Sequence, residues 1–222
     1  METAVYRHPS ESPSACLSGV RLSVTVVLIL WFALVASLGA AGDFVGPPRI
    51  PPIAIGMGVG VPLLLFSAWL RFSKSFREFV LSLDLRLIAS MQAWRWAGFG
   101  FLALYAHNVL PAVFALPAGL GDMAVGIAAP WMVLGLIGQP RFAASTAFLR
   151  WNVLGILDLV VAVGIGTLSA TLATGTPGEV STAPMATLPL VLIPAFLVPL
   201  FLMMHAIALM QSRRIIRAEH KG

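Results

Sequence analysis

The chain has 222 residues, of which 59% are hydrophobic and only 10% are charged, and its formal net charge is +5. A soluble domain usually carries about 25% charged residues. This chain therefore has too little polar surface to cover a globule in water, and lipid must solvate much of it. Six spans of about 20 residues with short loops fill nearly the whole length, which leaves no room for a separate soluble domain.

The basic charge follows membrane topology and does not indicate a nucleic-acid partner. The Lys and Arg residues flank apolar stretches, as they do in positive-inside loops. A single cysteine, Cys16, excludes an intramolecular disulfide and a cysteine metal cage. The motifs of zinc hydrolases, serine hydrolases and P-loop enzymes are absent from the sequence. We predict no cofactor and no bound metal, and the sequence favours a non-enzymatic role.

The first segments of the chain are a polar tail and two apolar spans. Residues 1–20 are predicted to be a flexible cytoplasmic tail, and the first two spans are predicted at about 22–41 and 51–70. A cleaved signal peptide ending near 39–41 is the alternative for the first span. The apolar stretch Leu22–Leu38 has 17 residues and is longer than the usual apolar region of a signal peptide, about 7–15 residues, which favours an uncleaved span.

The segment Arg71–Met91 combines charged residues with one apolar face. On a helical wheel that face contains Phe76, Phe79, Val80, Leu83, Leu87 and Met91. We interpret the segment as an amphipathic helix on the inner leaflet, where anionic lipids attract its basic residues. A plain cytoplasmic connection between spans is the alternative.

The third span has two possible registers, 87–110 and 94–116. Trp94 and Trp96 are typical of an interfacial aromatic belt, which favours 94–116 and predicts an outer turn at Pro117–Gly121. The remaining spans are predicted at about 120–137, 151–172 and 187–210, and residues 211–222 form a basic cytoplasmic tail.

The distribution of basic residues orients these spans. Thirteen of the fourteen Lys and Arg residues lie on one side of the six segments, and only Arg49 lies on the other. The positive-inside rule places that side, with both termini, in the cytoplasm. In general texture the chain resembles multi-span proteins of GC-rich bacteria. We therefore predict an all-α, multi-pass protein of the bacterial inner membrane, whose region 21–210 forms six transmembrane helices as three helical hairpins.

Ionisable groups within the predicted spans are the candidate functional residues. An Arg or Asp at the centre of a membrane helix costs about 2.5–3.5 kcal/mol on insertion scales, so such residues need a reason to be there. The candidates for an intramembrane polar site are Arg95, His107, Asp122, Asp158 and His205, with Asn108 and Asn152 as neutral companions.

Depth along the spans suggests which candidates meet. At 1.5 Å per residue, Asp158 lies roughly 10 Å and His205 roughly 8 Å above the inner ends of their spans, so they share a level. Arg95 joins them if the third span starts at Leu87. If the span starts at Trp94, Arg95 is a topology anchor at the inner boundary.

A second polar group is predicted in the outer half. His107 and Asn108 lie in the third span, and a His107–Asp122 pair across the hairpin would bind a cation or relay protons. The simpler interpretation, which the sequence favours, is that Asp122 is an N-cap or first-turn acid of the fourth span. His107 and His205 lie in different halves of the bilayer, which argues against a bis-histidine haem.

These observations support three hypotheses. The first is that the protein binds or translocates a small solute or a proton through its buried polar groups, in helices interrupted by Gly and Pro as in transporters. The alternative is a non-catalytic scaffold or assembly subunit. It would use the Gly56–Gly60 face and the basic Arg71–Arg86 segment to contact lipid, a protein partner or, in a homo-oligomer, a second copy of the chain. The second alternative is a membrane-embedded enzyme that acts on a lipid, with Asp122 or His107 as acid or base.

Overall fold

The computed structural model describes residues 13–219, with the side chains of residues 19–139 and 141–218. Most of the predicted N-terminal tail and the last three residues of the predicted C-terminal tail lie outside the described residues. Residues 13–20, which were predicted to be flexible, are helical, and so are residues 211–219. Both regions extend long helices beyond the apolar stretch from which the spans were predicted.

Every regular element in the described part of the chain is helical, which confirms the all-α class. The α-helices are α1 (Pro13–Ala41), α2 (Ile53–Phe72), α3 (Lys74–Leu81), α4 (Leu85–Met91), α5 (Phe99–Ala106), α6 (Ala112–Gly138), α7 (Thr146–Leu172) and α8 (Val198–Glu219). Between them lie 3₁₀ segments at Gln92–Gly98, Pro140–Ala144 and Ala183–Ala186, and a π-helical segment at Ile193–Leu197.

Five helical segments are long and apolar enough to cross a membrane, which indicates a membrane protein. They are Gly19–Ala41, Ile53–Phe72, Ala112–Gly138, Thr146–Leu172 and Ile193–Ala218. The predicted third span is not among them, because its residues are divided among the 3₁₀ segment Gln92–Gly98, the short helix α5, the turn at 107–111 and the start of α6.

The turn predicted at Pro117–Gly121 is wrong, and so is the third-span boundary of 94–116. The chain turns at 107–111 instead, where Asn108 has a φ of 57°, a conformation that Asn tolerates better than most residues. Pro111 then precedes the first turn of α6, and its carbonyl accepts the N–H of Ala115 at 2.9 Å. Pro117 and its neighbouring glycines do not form a turn because they lie inside α6, where small residues permit close helix packing.

The single amphipathic helix predicted over Arg71–Met91 is two helices, α3 and α4. Asp84 separates the two helices, because its side chain accepts the N–H of Arg86 at 2.8 Å and caps the start of α4. Phe76, Phe79 and Val80 of the predicted apolar face are buried, whereas Leu87 and Met91 are exposed. The break between the two helices gives α4 a different rotation and removes these two residues from that face.

The bundle has two ends that differ in composition. The loop end contains segments 42–52, 107–111 and 173–186, and an added Cβ at Gly175 would lie 2.6 Å from Cγ of Pro48 in the neighbouring loop. The basic end contains α3, α4, segment 139–145 and the end of α8. There the side-chain amide of Gln211 donates to the carbonyls of Val80 and Leu83 at 3.1 and 3.0 Å, which attaches α8 to α3.

Helix α6 lies at the centre, against the segment 92–98, α5 and α7, while α7 packs on α8. Gly126 of α6 has no room for a side chain, because the backbone of Trp96 occupies the space of a Cβ. The 3₁₀ segment therefore lies with its backbone directly against α6. This contact places the neighbouring residue, Arg95, inside the bundle.

Candidate functional site

Arg95 is the centre of a buried polar cluster that joins three segments of the bundle. Its Nε donates to Oδ1 of Asp122 in α6 at 2.7 Å, and its Nη2 donates to Oδ2 of Asp158 in α7. The side chain of Arg95 is 1% exposed, and those of Asp122 and Asp158 are 17% and 16% exposed. One guanidinium therefore forms ion pairs with two carboxylates that are themselves mostly buried.

The remaining Arg95 nitrogen connects the cluster to α8. Nη1 donates to the carbonyl of Gly155 at 3.2 Å and lies 3.1 Å from Nε2 of His205. Because a guanidinium can only donate, Nε2 of His205 accepts this bond and the imidazole carries its proton on Nδ1. Nδ1 then donates to Oδ1 of Asn152 at 2.9 Å, and the Asn152 amide donates to the carbonyl of Phe148 at 2.9 Å.

Two glycines provide the space that this cluster fills. The carboxylate of Asp158 occupies the position of a Cβ on Gly121 of α6, and the imidazole of His205 occupies that of a Cβ on Gly155 of α7. Any larger residue at either position would displace a charged or hydrogen-bonded side chain. The polar contacts of Asp158 and His205 therefore require the helices to approach each other closely at these two glycines.

The charges of the cluster do not balance. Two carboxylates face one guanidinium, and the imidazole accepts from Arg95 in its neutral form. The sum is one formal negative charge in surroundings where an unpaired charge is costly. Among the side chains that the structure describes, no group of three or more from His, Cys, Asp and Glu is placed to hold a metal ion, and the guanidinium occupies the centre of the cluster. One proton or one cationic group would neutralise the site.

A cavity of about 360 Å³ opens at the loop end and has Asp122 in its wall. Asp122 lies ten residues after the start of α6, roughly 15 Å along that helix, whereas Glu179 of the lining lies in the loop 173–186. Asp122 is therefore deep in the cavity and Glu179 is near its mouth. Oδ1 of Asp122 accepts from Arg95, and Oδ2 has no hydrogen-bond partner among the described residues.

Residues 52–213 match the family described as a domain of unknown function, DUF8737. The chain belongs to the DUF8737 family. The DUF8737 region contains every residue of the polar cluster, whereas α1 lies outside it. No curated protein matches the chain, and no solved structure does.

Within the DUF8737 region, the structure brings together five of the seven predicted site residues. Arg95, Asp122, Asn152, Asp158 and His205 form one connected cluster. Its geometry agrees with the alternative register, in which the third span starts near Leu87 and Arg95 meets Asp158 and His205. The separation into an inner and an outer group is wrong, because Asp122 lies well inside α6 and reaches Arg95.

The other two predicted residues, His107 and Asn108, lie in the exposed turn at the loop end. Nδ1 of His107 is 2.8 Å from the carbonyl of Ala103. The predicted His107–Asp122 pair is wrong, because Asp122 is bonded to Arg95. The alternative reading of Asp122 as a helix-start acid is wrong as well, since α6 begins at Ala112.

Two residues associated with the cluster, Gly155 and Gln92, are not among the candidates predicted from the sequence. Gly155 contributes a carbonyl, and its position midway between Asn152 and Asp158 is the available signal, because residues at intervals of three share a helix face. Gln92 is 1% exposed, and neither polar atom of its side chain has a partner among the described residues. Gln92 and Arg95 are three residues apart in a 3₁₀ segment and so share one face.

Proposed function

We propose that this DUF8737 protein binds a proton or a small cationic solute at the Arg95 cluster and translocates it across the membrane. The single observation that supports this most is the cavity at the loop end, which reaches Asp122 of a cluster with one negative charge in excess. A carboxylate in contact with both a cavity and a buried guanidinium can gain or lose a cation while Arg95 keeps the second carboxylate in place.

We further propose six membrane crossings in three hairpins, with the third crossing made of α4, the segment 92–98 and α5. These elements follow one another without interruption from Leu85 to Ala106. At 1.5 Å per α-helical residue and 2.0 Å per 3₁₀ residue they extend roughly 35 Å, enough for a hydrocarbon core of about 30 Å. Trp94, Trp96 and Phe99 on this path are exposed, as expected for a surface that faces lipid.

The distribution of charge supports one orientation of this arrangement. The basic end would face the cytoplasm of a bacterial inner membrane together with both termini, since α8 ends in exposed Arg213, Arg214 and Arg217. The loop end, with the mouth of the cavity, would then face the periplasm. Exposed arginines at the basic end would attract anionic lipids of the neighbouring leaflet. We expect native mass spectrometry to retain fewer anionic lipids on a variant in which these three arginines are replaced by glutamine.

The proposal is tested by proton flux into liposomes that contain the purified full-length chain. Under an imposed pH gradient, the wild type should show protein-dependent flux, and Asp122→Asn and Asp158→Asn should each lose most of it. Glu78→Gln is the matched control, because it removes a carboxylate that is 64% exposed and pairs with Lys74 at the surface. Flux that is unchanged in both aspartate variants would contradict translocation through the cluster.

A partner-binding role is the second candidate, and the α2 surface favours it. A Cβ added at Gly56 or Gly60 would meet nothing within 4 Å, so this face is open to a helix of another subunit. Cross-linking through cysteines at these positions, in a Cys16→Ser background, should give a covalent dimer or a defined heteromer if α2 is an interface.

A further inference from the structure

We infer that the cavity at the loop end binds a protonated amine with a small apolar body, and that Asp122 is its counter-ion. This inference rests on the proposed function and names the ligand class of the same site. Three features of the cavity support it: the sign of its charges, the engagement of Arg95, and the apolar character of its remaining wall.

The charged side chains that line the described cavity have one sign. They are Asp122 and Glu179, and the described lining contains no Lys, Arg or His. The carboxylate of Glu179 accepts the N–H groups of Thr174 and Gly175 at 2.9 and 2.7 Å, so loop contacts engage it. Asp122 lines the cavity, and its Oδ2 has no hydrogen-bond partner among the described residues. A charged N–H donor in the cavity would be the strongest neutral-pH partner of this carboxylate.

Arg95 does not make this site suitable for an anion. Its guanidinium is 1% exposed, and its nitrogens bond to Asp122, Asp158, His205 and the Gly155 carbonyl. A carboxylate ligand in the cavity would meet the two acidic side chains without reaching the guanidinium. An ammonium would instead neutralise the excess charge of the cluster and satisfy the free oxygen of Asp122.

The remaining wall favours a hydrocarbon body of limited size. Most of the lining is aliphatic or aromatic, including Phe44, Phe101, Phe114, Leu159 and Met185. A volume of about 360 Å³ is at the lower end of ligand sites, which span about 300–1,000 Å³. A bare metal ion or a polyhydroxylated solute would leave this apolar wall unused. A single ring or a short alkyl chain that carries one ammonium fits both the wall and the charge.

The test is binding of benzylamine to the full-length chain in lipid nanodiscs, measured by titration calorimetry after subtraction of the signal from protein-free nanodiscs. Benzyl alcohol is the neutral analogue of the same size, and benzoate is the anionic one. Benzylamine should bind saturably, about tenfold or more tightly than benzyl alcohol, because a hydrogen bond to a charged group contributes that much. Benzoate should not bind. Asp122→Asn should remove the preference for the amine.

A second pair of variants keeps the test valid if Asp122→Asn does not fold. Ala162 of α7 lines the cavity, so Ala162→Leu should fill it and weaken benzylamine and benzyl alcohol alike while leaving the cluster charges intact. Val160→Leu changes an exposed residue of the same helix, outside the lining, and should bind both probes as the wild type does.

The amine inference is overturned if the wild type binds benzyl alcohol as tightly as benzylamine, or if Ala162→Leu leaves benzylamine binding unchanged. The inference and the proposed function can fail separately. Asp122-dependent proton flux without benzylamine binding would retain the proton pathway and reject the amine. Asp122-dependent benzylamine binding without any flux would retain the amine site and reject translocation.

Discussion

Nη1 of Arg95 lies 3.1 Å from Nε2 of His205. This contact joins the 3₁₀ segment before α5 to α8, and it determines the tautomer of the histidine because arginine has no acceptor atom. The Asn152 side chain on the other side of the ring accepts from Nδ1. The polar cluster is thus a directed chain of hydrogen bonds, from the guanidinium through the imidazole to the carbonyl of Phe148.

The first prediction is that His205 carries its proton on Nδ1 at neutral pH. Nitrogen chemical shifts of the protein labelled with ¹⁵N-histidine should show one protonated and one bare ring nitrogen for this residue. Asn152→Leu removes the acceptor for Nδ1 and should destabilise the fold by about 1–3 kcal/mol, the usual cost of a buried donor without a partner. A doubly protonated His205 in the wild type would show that the directed chain is wrong.

The second prediction concerns the removal of the central charge. Arg95→Met should destabilise the protein by about 3–5 kcal/mol, because two buried carboxylates lose their counter-ion. Adding Asp122→Asn and Asp158→Asn to that variant should restore a large part of the loss, which thermal unfolding in detergent micelles can measure. Arg213→Met, at an exposed position, is the control and should change stability little. A triple variant no more stable than Arg95→Met would mean that Arg95 acts mainly through packing.

The third prediction compares two glycines of α7. Gly155→Ala should cost about 1–3 kcal/mol, the range for overpacking a full site, because the new methyl group would overlap the imidazole of His205. Gly164→Ala meets nothing within 4 Å and should stabilise the helix by about 0.5–1 kcal/mol. Equilibrium unfolding of both variants in the same micelles tests this difference. Equal effects would indicate that α7 and α8 separate easily at Gly155.

The fourth prediction is a pH response of the loop at the mouth of the cavity. Hydrogen bonds from the backbone and side chain of Thr174, and from the backbone of Gly175, hold the pKa of Glu179 below its ordinary value of 4.5. The loop contacts are therefore fully present above the unfolded-state pKa, and they are lost as the pH falls through the lower folded-state pKa. The amide shifts of Thr174 and Gly175 should change with a midpoint below 4.5.

Two variants check the origin of that response. Glu179→Gln should abolish the pH-dependent change of both amide shifts, because the carboxylate that titrates is gone. Glu78→Gln, at the basic end, should leave the midpoint unchanged. A midpoint at or above the ordinary value in the wild type would show that the Thr174 and Gly175 donors do not engage Glu179 in solution.

The sequence predicted the all-helical class and listed the members of the cluster as candidates, because charged groups in apolar spans are rare. Counting residues along the spans places Asp158 and His205 at the same depth in the membrane. Arg95 could not be placed, since its position depends on a 3₁₀ segment that packs backbone to backbone on Gly126. That packing is a tertiary property with no local signal.

The turn before α6 could not be predicted from the sequence for a related reason. Pro117, Gly119 and Gly121 resemble a turn locally, yet in the structure these positions lie within α6, and Gly121 provides space for Asp158. The actual turn depends on Asn108 in a left-handed conformation and on Pro111, which carry a weaker signal. A turn expected at Pro117–Gly121 places Asp122 at a helix end, where the sequence gives no indication of its bond to Arg95.

Proton exchange at Asp122 is tested by the infrared difference spectrum of the reconstituted protein between neutral and acidic solution. Protonation of Asp122 should contribute a carboxyl C=O stretching band in addition to those of the exposed carboxyl groups. Asp122→Asn should remove this band, and Glu78→Gln should leave it unchanged. A wild-type spectrum without the band, or an Asp122→Asn spectrum that retains it in full, would contradict the claim that Asp122 exchanges a proton with the solution through the cavity.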